Sequence, residues 1–251
     1  MPTSTRELLI EERFCGPPGA VNGGVACGSL AALLDETVPP AAEVTLRRPV
    51  PLGRPFAAHR NGDGTWVVED GDALVGEVRP APRVEFAVPV EVTFEQAQAA
   101  ASRARYYDDP VFPGCFGCGT ARPPGDGLRI FPGPVGGVLA APWTPDPSVT
   151  DADGSVRPEV VWASLDCPSG IAVGEAGELP PDTAVVLGRM TATVAARPQA
   201  GDRCRLVAWA AGRDGRKLYA RSALLGPGDA VLAAAGSVWL TVPRQAVESA
   251  S

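Results

Sequence analysis

Alternation between apolar and polar positions dominates this chain, interrupted by two stretches of a different period. In the first, Val25 to Leu34, Leu30, Leu33 and Leu34 fall at helical spacing. This predicts a helix that begins near Asn22 or Gly23, with Asn22 as its N-cap, and ends before Pro39. In the second, Arg157 to Gly170, Val160, Val161, Ala163 and Leu165 make a helix that is apolar almost all round. Pro158 presets its first turn, and Pro168 with Gly170 is expected to stop it within about three turns.

Strands follow each helix. Glu43 to Arg48, Phe56 to Arg60, Trp66 to Glu69 and Ala73 to Arg79 are separated by Asn61-Gly62-Asp63-Gly64 and Asp70-Gly71-Asp72, which are hairpin signals. After the second helix, Ala184 to Arg197, Arg203 to Gly212, Lys217 to Leu225 and Ala230 to Val242 form another meander, with turns at Gly201-Asp202, Asp214-Gly215 and Gly226 to Asp229. Leu8 to Ile10 reads as a short strand or helix, and Gly127 to Phe131 and Gly137 to Pro142 read as short strands. Glu91 to Arg105 reads as a polar, alanine-rich connecting helix.

Helix then meander occurs twice, and residues carry the repeat: Val44 to Gly53 parallels Thr193 to Gly201, each a strand followed by Arg-Pro and then Gly. The expected class is α+β, with two tandem units in which a curved antiparallel sheet wraps one buried helix. We place them at residues 1–90 and 110–251, joined by a linker at 91–109.

Composition narrows the function. A net charge of −7 argues against sequence-independent nucleic-acid binding, which needs a basic surface to replace counterions. No apolar run is long enough to span a membrane and no signal-peptide pattern opens the chain, so no membrane partner and a cytoplasmic location are expected. The six cysteines are then reduced by default.

Asp166 is the anomaly. A carboxylate in the last turn of an apolar helix either carries chemistry or caps the Cys-Pro-Ser turn that follows. Asn22, Gly23 and Gly24 either cap their helix or present its free N–H groups to a developing oxyanion. Asp35 and Glu36 read as solvated. Arg47, Arg48 and Arg54 either bind phosphates or lie on a solvated strand face. Cys115-x-x-Cys118 supplies half of a zinc site, and with no second such pair and no His pair, no metal is expected. Cys167 could act as a nucleophile, but the single histidine, His59, lies in the other half. Serine-hydrolase, Walker and dinucleotide-binding motifs are absent from the sequence.

Several of these segments together resemble the hotdog superfamily, specifically its double-hotdog acyl-CoA thioesterases. Asn22-Gly23-Gly24 opening a helix, Thr37-Val38-Pro39, Arg48-Pro49 and Gly53-Arg54-Pro55-Phe56 resemble the N-terminal repeat. Cys115-Phe116-Gly117-Cys118-Gly119 with Gly127-Leu128-Arg129-Ile130 resembles an opening strand, and Trp162 to Asp166 resembles the central helix whose Asp is catalytic. The resemblance implies hydrolysis of an acyl-CoA or acyl-carrier thioester without a cofactor, with Asp166 as base or nucleophile, the Asn22–Gly24 turn assisting, and Thr191 or Thr193 as hydroxyl partner. It also implies a monomer of two repeats or a homo-oligomer. The chain departs from the pattern in two places: Pro158 falls where an N–H is usual, and Gly236 or Ser237 where relatives have Gln. Two other readings are a hotdog that binds acyl ligands without catalysis and a specialised pathway enzyme reusing the acyl pocket.

Overall fold

The computed structural model describes residues 4–34, 41–177 and 179–248. In order these form β1 (Thr5–Leu8), α1 (Gly23–Ala31), β2 (Ala41–Leu46), β3 (Phe56–Arg60), β4 (Trp66–Asp70), β5 (Ala73–Pro80) and α2 (Phe94–Ala101). The second half adds β6 (Gly133–Val135), β7 (Val138–Trp143), α3 (Pro158–Ala176), β8 (Thr183–Val194), β9 (Cys204–Asp214), β10 (Lys217–Leu225) and β11 (Val231–Pro243). The calls on Asp35, Glu36 and Thr37-Val38-Pro39 lie outside the described residues.

All strands join one antiparallel sheet of order β1-β3-β4-β5-β2-β8-β11-β10-β9-β7-β6. Its two halves repeat one topology: β1-β3-β4-β5-β2 is matched by β7-β9-β10-β11-β8 read from the opposite edge. They meet where β2 and β8 pair antiparallel, Ala41 opposite Thr193 and Thr45 opposite Arg189. The class is therefore α+β with a helix and a wrapping antiparallel sheet in each repeat, as the duplicated Arg-Pro segments suggested.

One core runs through both halves. Val25 and Leu30 of α1, Val160, Val161 and Leu165 of α3, and Val44, Val68, Met190 and Leu206 from the sheet share it. Each such side chain contributes about 1.5–3 kcal/mol by leaving water. Neither helix shows a polar stripe along this interior, because each is enclosed by sheet on one side and by the other helix on another.

Three expectations are corrected. Helix α3 does not stop at Pro168 but continues to Ala176. Pro168 removes the usual donor to the Ser164 carbonyl, yet hydroxyls brace the same turn, Ser222 Oγ donating to Leu165 O at 2.9 Å and Ser169 Oγ to Asp166 O at 2.8 Å. Gly170 makes room for packing instead of terminating the helix: a side chain there would meet the Trp239 ring at 2.7 Å, and Trp239 Nε1 donates to Ser169 Oγ at 3.0 Å. Gly127 to Phe131 is a loop, not a strand. Arg129 adopts φ 51°, and the N–H groups of Leu128 and Ile130 donate to the carbonyls of Phe116 and Gly117. The connecting helix is shorter than expected, started by a Thr93–Gln96 capping box, and its buried Ala97 packs with Val138 and Ala140 of β7.

Candidate active site at the crossing of two helices

Helices α1 and α3 cross at backbone contact. A Cβ on Gly24 would lie 2.6 Å from both Ala163 Cα and Asp166 Cβ, and one on Gly28 would lie 2.5 Å from Glu159 Cα. The closeness has a chemical result: Gly24 N–H donates to Asp166 Oδ2 at 2.8 Å. Asn22 is the N-cap, its Oδ1 accepting from Val25 N at 3.0 Å. Asp166 thus does not cap its own loop; its side chain reaches across to the N-terminus of the other helix, where the positive end of the helix dipole favours a carboxylate.

Asp166 is 2% exposed, and its Oδ1 has no hydrogen-bond partner among the described residues. Burial pushes its carboxyl from 3.8 up to about 7; the Gly24 N–H and the Asn22 side chain oppose the rise and Cys115 adds to it. A carboxyl in that range can both take and return a proton near neutrality.

A cavity of about 630 Å³ opens beside it, within the range of small-molecule sites. Asn22, Gly23 and Asp166 line it near the crossing, Ile171, Leu187 and Trp239 supply apolar wall, and Arg47, Arg48, Arg105 and Arg244 also line it. Arg47 is held by Glu77 at 2.6 Å and Arg244 by Asp109 at 2.6 Å, whereas Arg48 has no carboxylate partner among the described residues.

The same wall carries Cys115, Cys118 and Cys167, all buried, with their sulfurs within 4.8 Å of one another. Hydrogen bonds from Cys118 and Cys167, with backbone N–H groups of Cys118 and Gly117, hold the Cys115 thiol well below its usual range; Cys167 is pushed up by its place against Cys115. Asn22 Nδ2 lies 3.5 Å from the sulfurs of both Cys115 and Cys167.

Of the candidates named from sequence, Asp166, Asn22, Gly23, Arg47 and Arg48 line one cavity. Gly24 meets Asp166 directly, so its N–H is engaged and not open to a ligand. Two candidates fall elsewhere. Arg54 forms a bidentate pair with Asp70 at 2.5 Å, and Thr191 lies on β8 opposite Glu43, its hydroxyl 3.4 Å from that carboxylate; neither lines the cavity. His59 bonds Thr5 on the outer strands, away from the site. What sequence reasoning missed is that Cys167 gathers with Cys115 and Cys118. Cys167 follows Asp166 directly, but nothing local signals its partner 52 residues earlier.

Solved structures share this architecture. The tesB protein of Mycobacterium avium subsp. paratuberculosis superposes with a TM-score of 0.64 at 12% identity, covering 95% of this chain and 93% of its own. A conserved protein with hot dog fold from Alicyclobacillus acidocaldarius superposes with a TM-score of 0.51 at 11% identity over 95% and 93%. The chain is a double hotdog. An acyl-CoA thioesterase II, TesB2, of Mycobacterium marinum matches the double hotdog with a TM-score of 0.59, at 13% identity over 95% and 93%. No family model matches the sequence, and no curated protein does. In this double hotdog the Asp166 carboxylate and the α1 N-terminus come from different repeats, so the site exists only because both are present. Among the described residues, no helix is long and apolar enough to cross a membrane.

Proposed function

We propose that the cavity binds an acyl thioester of coenzyme A or a carrier protein and hydrolyses it, with Asp166 as the base that activates water. The observation that carries this reading is the Asp166 carboxylate, anchored at Oδ2 by Gly24 N–H while Oδ1 is left without a partner beside an apolar-walled cavity. A water bound to Oδ1 is deprotonated as it attacks the thioester carbonyl carbon. The developing oxyanion sits at the N-terminus of α1, where Gly23 is the first-turn amide that remains after Gly24 and Val25 are engaged. Collapse of the tetrahedral species breaks the C–S bond, and the proton held by Asp166 returns to the departing sulfur, leaving acid and thiol. Arg47 and Arg48 meet the phosphates of the carrier, and Ile171, Leu187 and Trp239 receive the acyl chain. The fold likeness to a protein named as an acyl-CoA thioesterase II supports the same reading. A cytoplasmic location fits these carriers and the six free cysteines.

The test is a panel of short, medium and aromatic acyl-CoAs with a thiol reagent. Release above background from at least one member is expected. Tight binding with no release from any member would leave a double hotdog that holds acyl ligands without catalysis.

A further inference from the structure

The chemistry described so far uses one carboxylate and one helix terminus, and leaves the three thiols on the same wall without a role. Their arrangement is specific. Cys115 Sγ and Cys167 Sγ stand 3.7 Å apart, and all three sulfurs fall within 4.8 Å of one another. Two thiolates on a tetrahedral zinc ion, each about 2.3 Å from the metal, are separated by about 3.8 Å. The Cys115–Cys167 pair therefore already stands at the spacing that such an ion would impose, with the Cys118 sulfur close by.

A polar side chain faces the group. Asn22 Nδ2 points at two of the three sulfurs at 3.5 Å, and Asn22 is itself buried. A buried amide N–H aimed at sulfur is the kind of partner found around metal-bound cysteine.

The backbone is shaped to the same end. The turn 115–119 is braced by Gly119 N donating to Cys115 O at 2.7 Å, and its carbonyls at Phe116 and Gly117 accept from Leu128 and Ile130 at 2.8 and 3.0 Å. This is where the backbone hydrogen bonds of the expected strand 127–131 go. A Cβ on Gly117 would lie 2.6 Å from Cys167 Sγ, so glycine there lets the turn close on the thiol of α3. All three cysteines line the cavity, which gives an ion an entry path and leaves one coordination position facing a ligand.

The geometry points to a zinc site formed by the thiolates of Cys115, Cys118 and Cys167, with its fourth position open to the cavity beside Asp166. Soft thiolate donors select zinc over magnesium or calcium, and three protein ligands with an open position is the pattern of a site that acts on a ligand. The site stands independently of thioester hydrolysis, since its ligands are set by the fold and not by a reaction.

The experiment uses the full chain, reduced and stripped with a chelator, then equilibrated with zinc against a competing chromophoric chelator, and separately with cobalt(II) as a spectroscopic probe. One zinc per chain is expected. The cobalt form should show sulfur-to-cobalt charge-transfer absorption with the intense visible bands of tetrahedral geometry. C115S, C118S and C167S should each weaken zinc binding by at least about tenfold, whereas C15S, whose sulfur bonds Arg122 and the Gly114 carbonyl, should leave stoichiometry unchanged. A wild-type chain that takes up no stoichiometric zinc, or a cobalt spectrum without sulfur charge transfer, overturns the proposal without relying on how any variant folds.

Discussion

Gly24 donates its backbone N–H to Asp166 Oδ2 at 2.8 Å, joining the first turn of one central helix to the middle of the other across 142 residues of sequence. Any side chain at position 24 would have to displace α3, since its Cβ would meet Ala163 Cα and Asp166 Cβ at 2.6 Å and Trp162 O at 2.7 Å. G24A is therefore expected to destabilise the fold by about 1–3 kcal/mol or more and to move the carboxylate. Gly174, in the same α3, has nothing within 4 Å of its Cβ position, so G174A should gain up to about 1 kcal/mol from helix propensity. Thermal melts of the two variants in parallel check this; equal effects would mean that the helices do not touch here.

Burial of Asp166 also sets a pH dependence. Its carboxyl rises from 3.8 in the open chain to about 7 when folded, because burial disfavours the charged form. Below about pH 4 both states are protonated and the group costs nothing. As pH rises from there to about 7 the unfolded chain ionises first, so stability falls, and above about 7 the loss levels off at roughly 4 kcal/mol. Chemical denaturation of chelator-treated protein at pH 5 and pH 8 should show this decline in the wild type and its near disappearance in D166N. An unchanged difference in D166N would assign the pH dependence to other groups.

Two arginines of the first repeat give a contrast between the cavity wall and the surface outside it. Arg48 lines the cavity and has no carboxylate partner among the described residues, whereas Arg54 is held by both oxygens of Asp70 outside it. R48A should raise KM for an acyl-CoA by roughly fivefold to tenfold while leaving KM for the matching acyl-pantetheine unchanged, the loss expected for one charge-assisted phosphate contact. R54A should change neither. Steady-state kinetics with the two substrates decide it, and equal effects from both variants would remove Arg48 from the binding site.

The readable parts of this protein were those governed by local rules. The strands at Phe56–Arg60 and Lys217–Leu225 follow from alternation between turn signals, and the start of α1 follows from Asn22 before a run of helical spacing. Asp166 stood out because a charge inside an apolar helix needs an explanation. What was not readable depends on neighbours distant in sequence. Pro168 and Gly170 are ordinary helix breakers until Ser222 and Trp239 arrive from β10 and β11 to bond the turn and fill the space. Arg54 looked as available as Arg48 until strand pairing brought Asp70 to it. Cys115-x-x-Cys118 read as an isolated pair because the third thiol of the cluster, Cys167, comes from α3, distant in sequence.

The most direct measurement is the rate of thiol release from the best acyl-CoA of the panel by wild type and D166N, with a melt confirming that both are folded. Removing the base while keeping its shape and its hydrogen bond from Gly24 should lower kcat by at least about 100-fold, with a melting temperature equal to or above that of the wild type. A folded D166N that turns over at the wild-type rate would contradict Asp166 as the group that activates water.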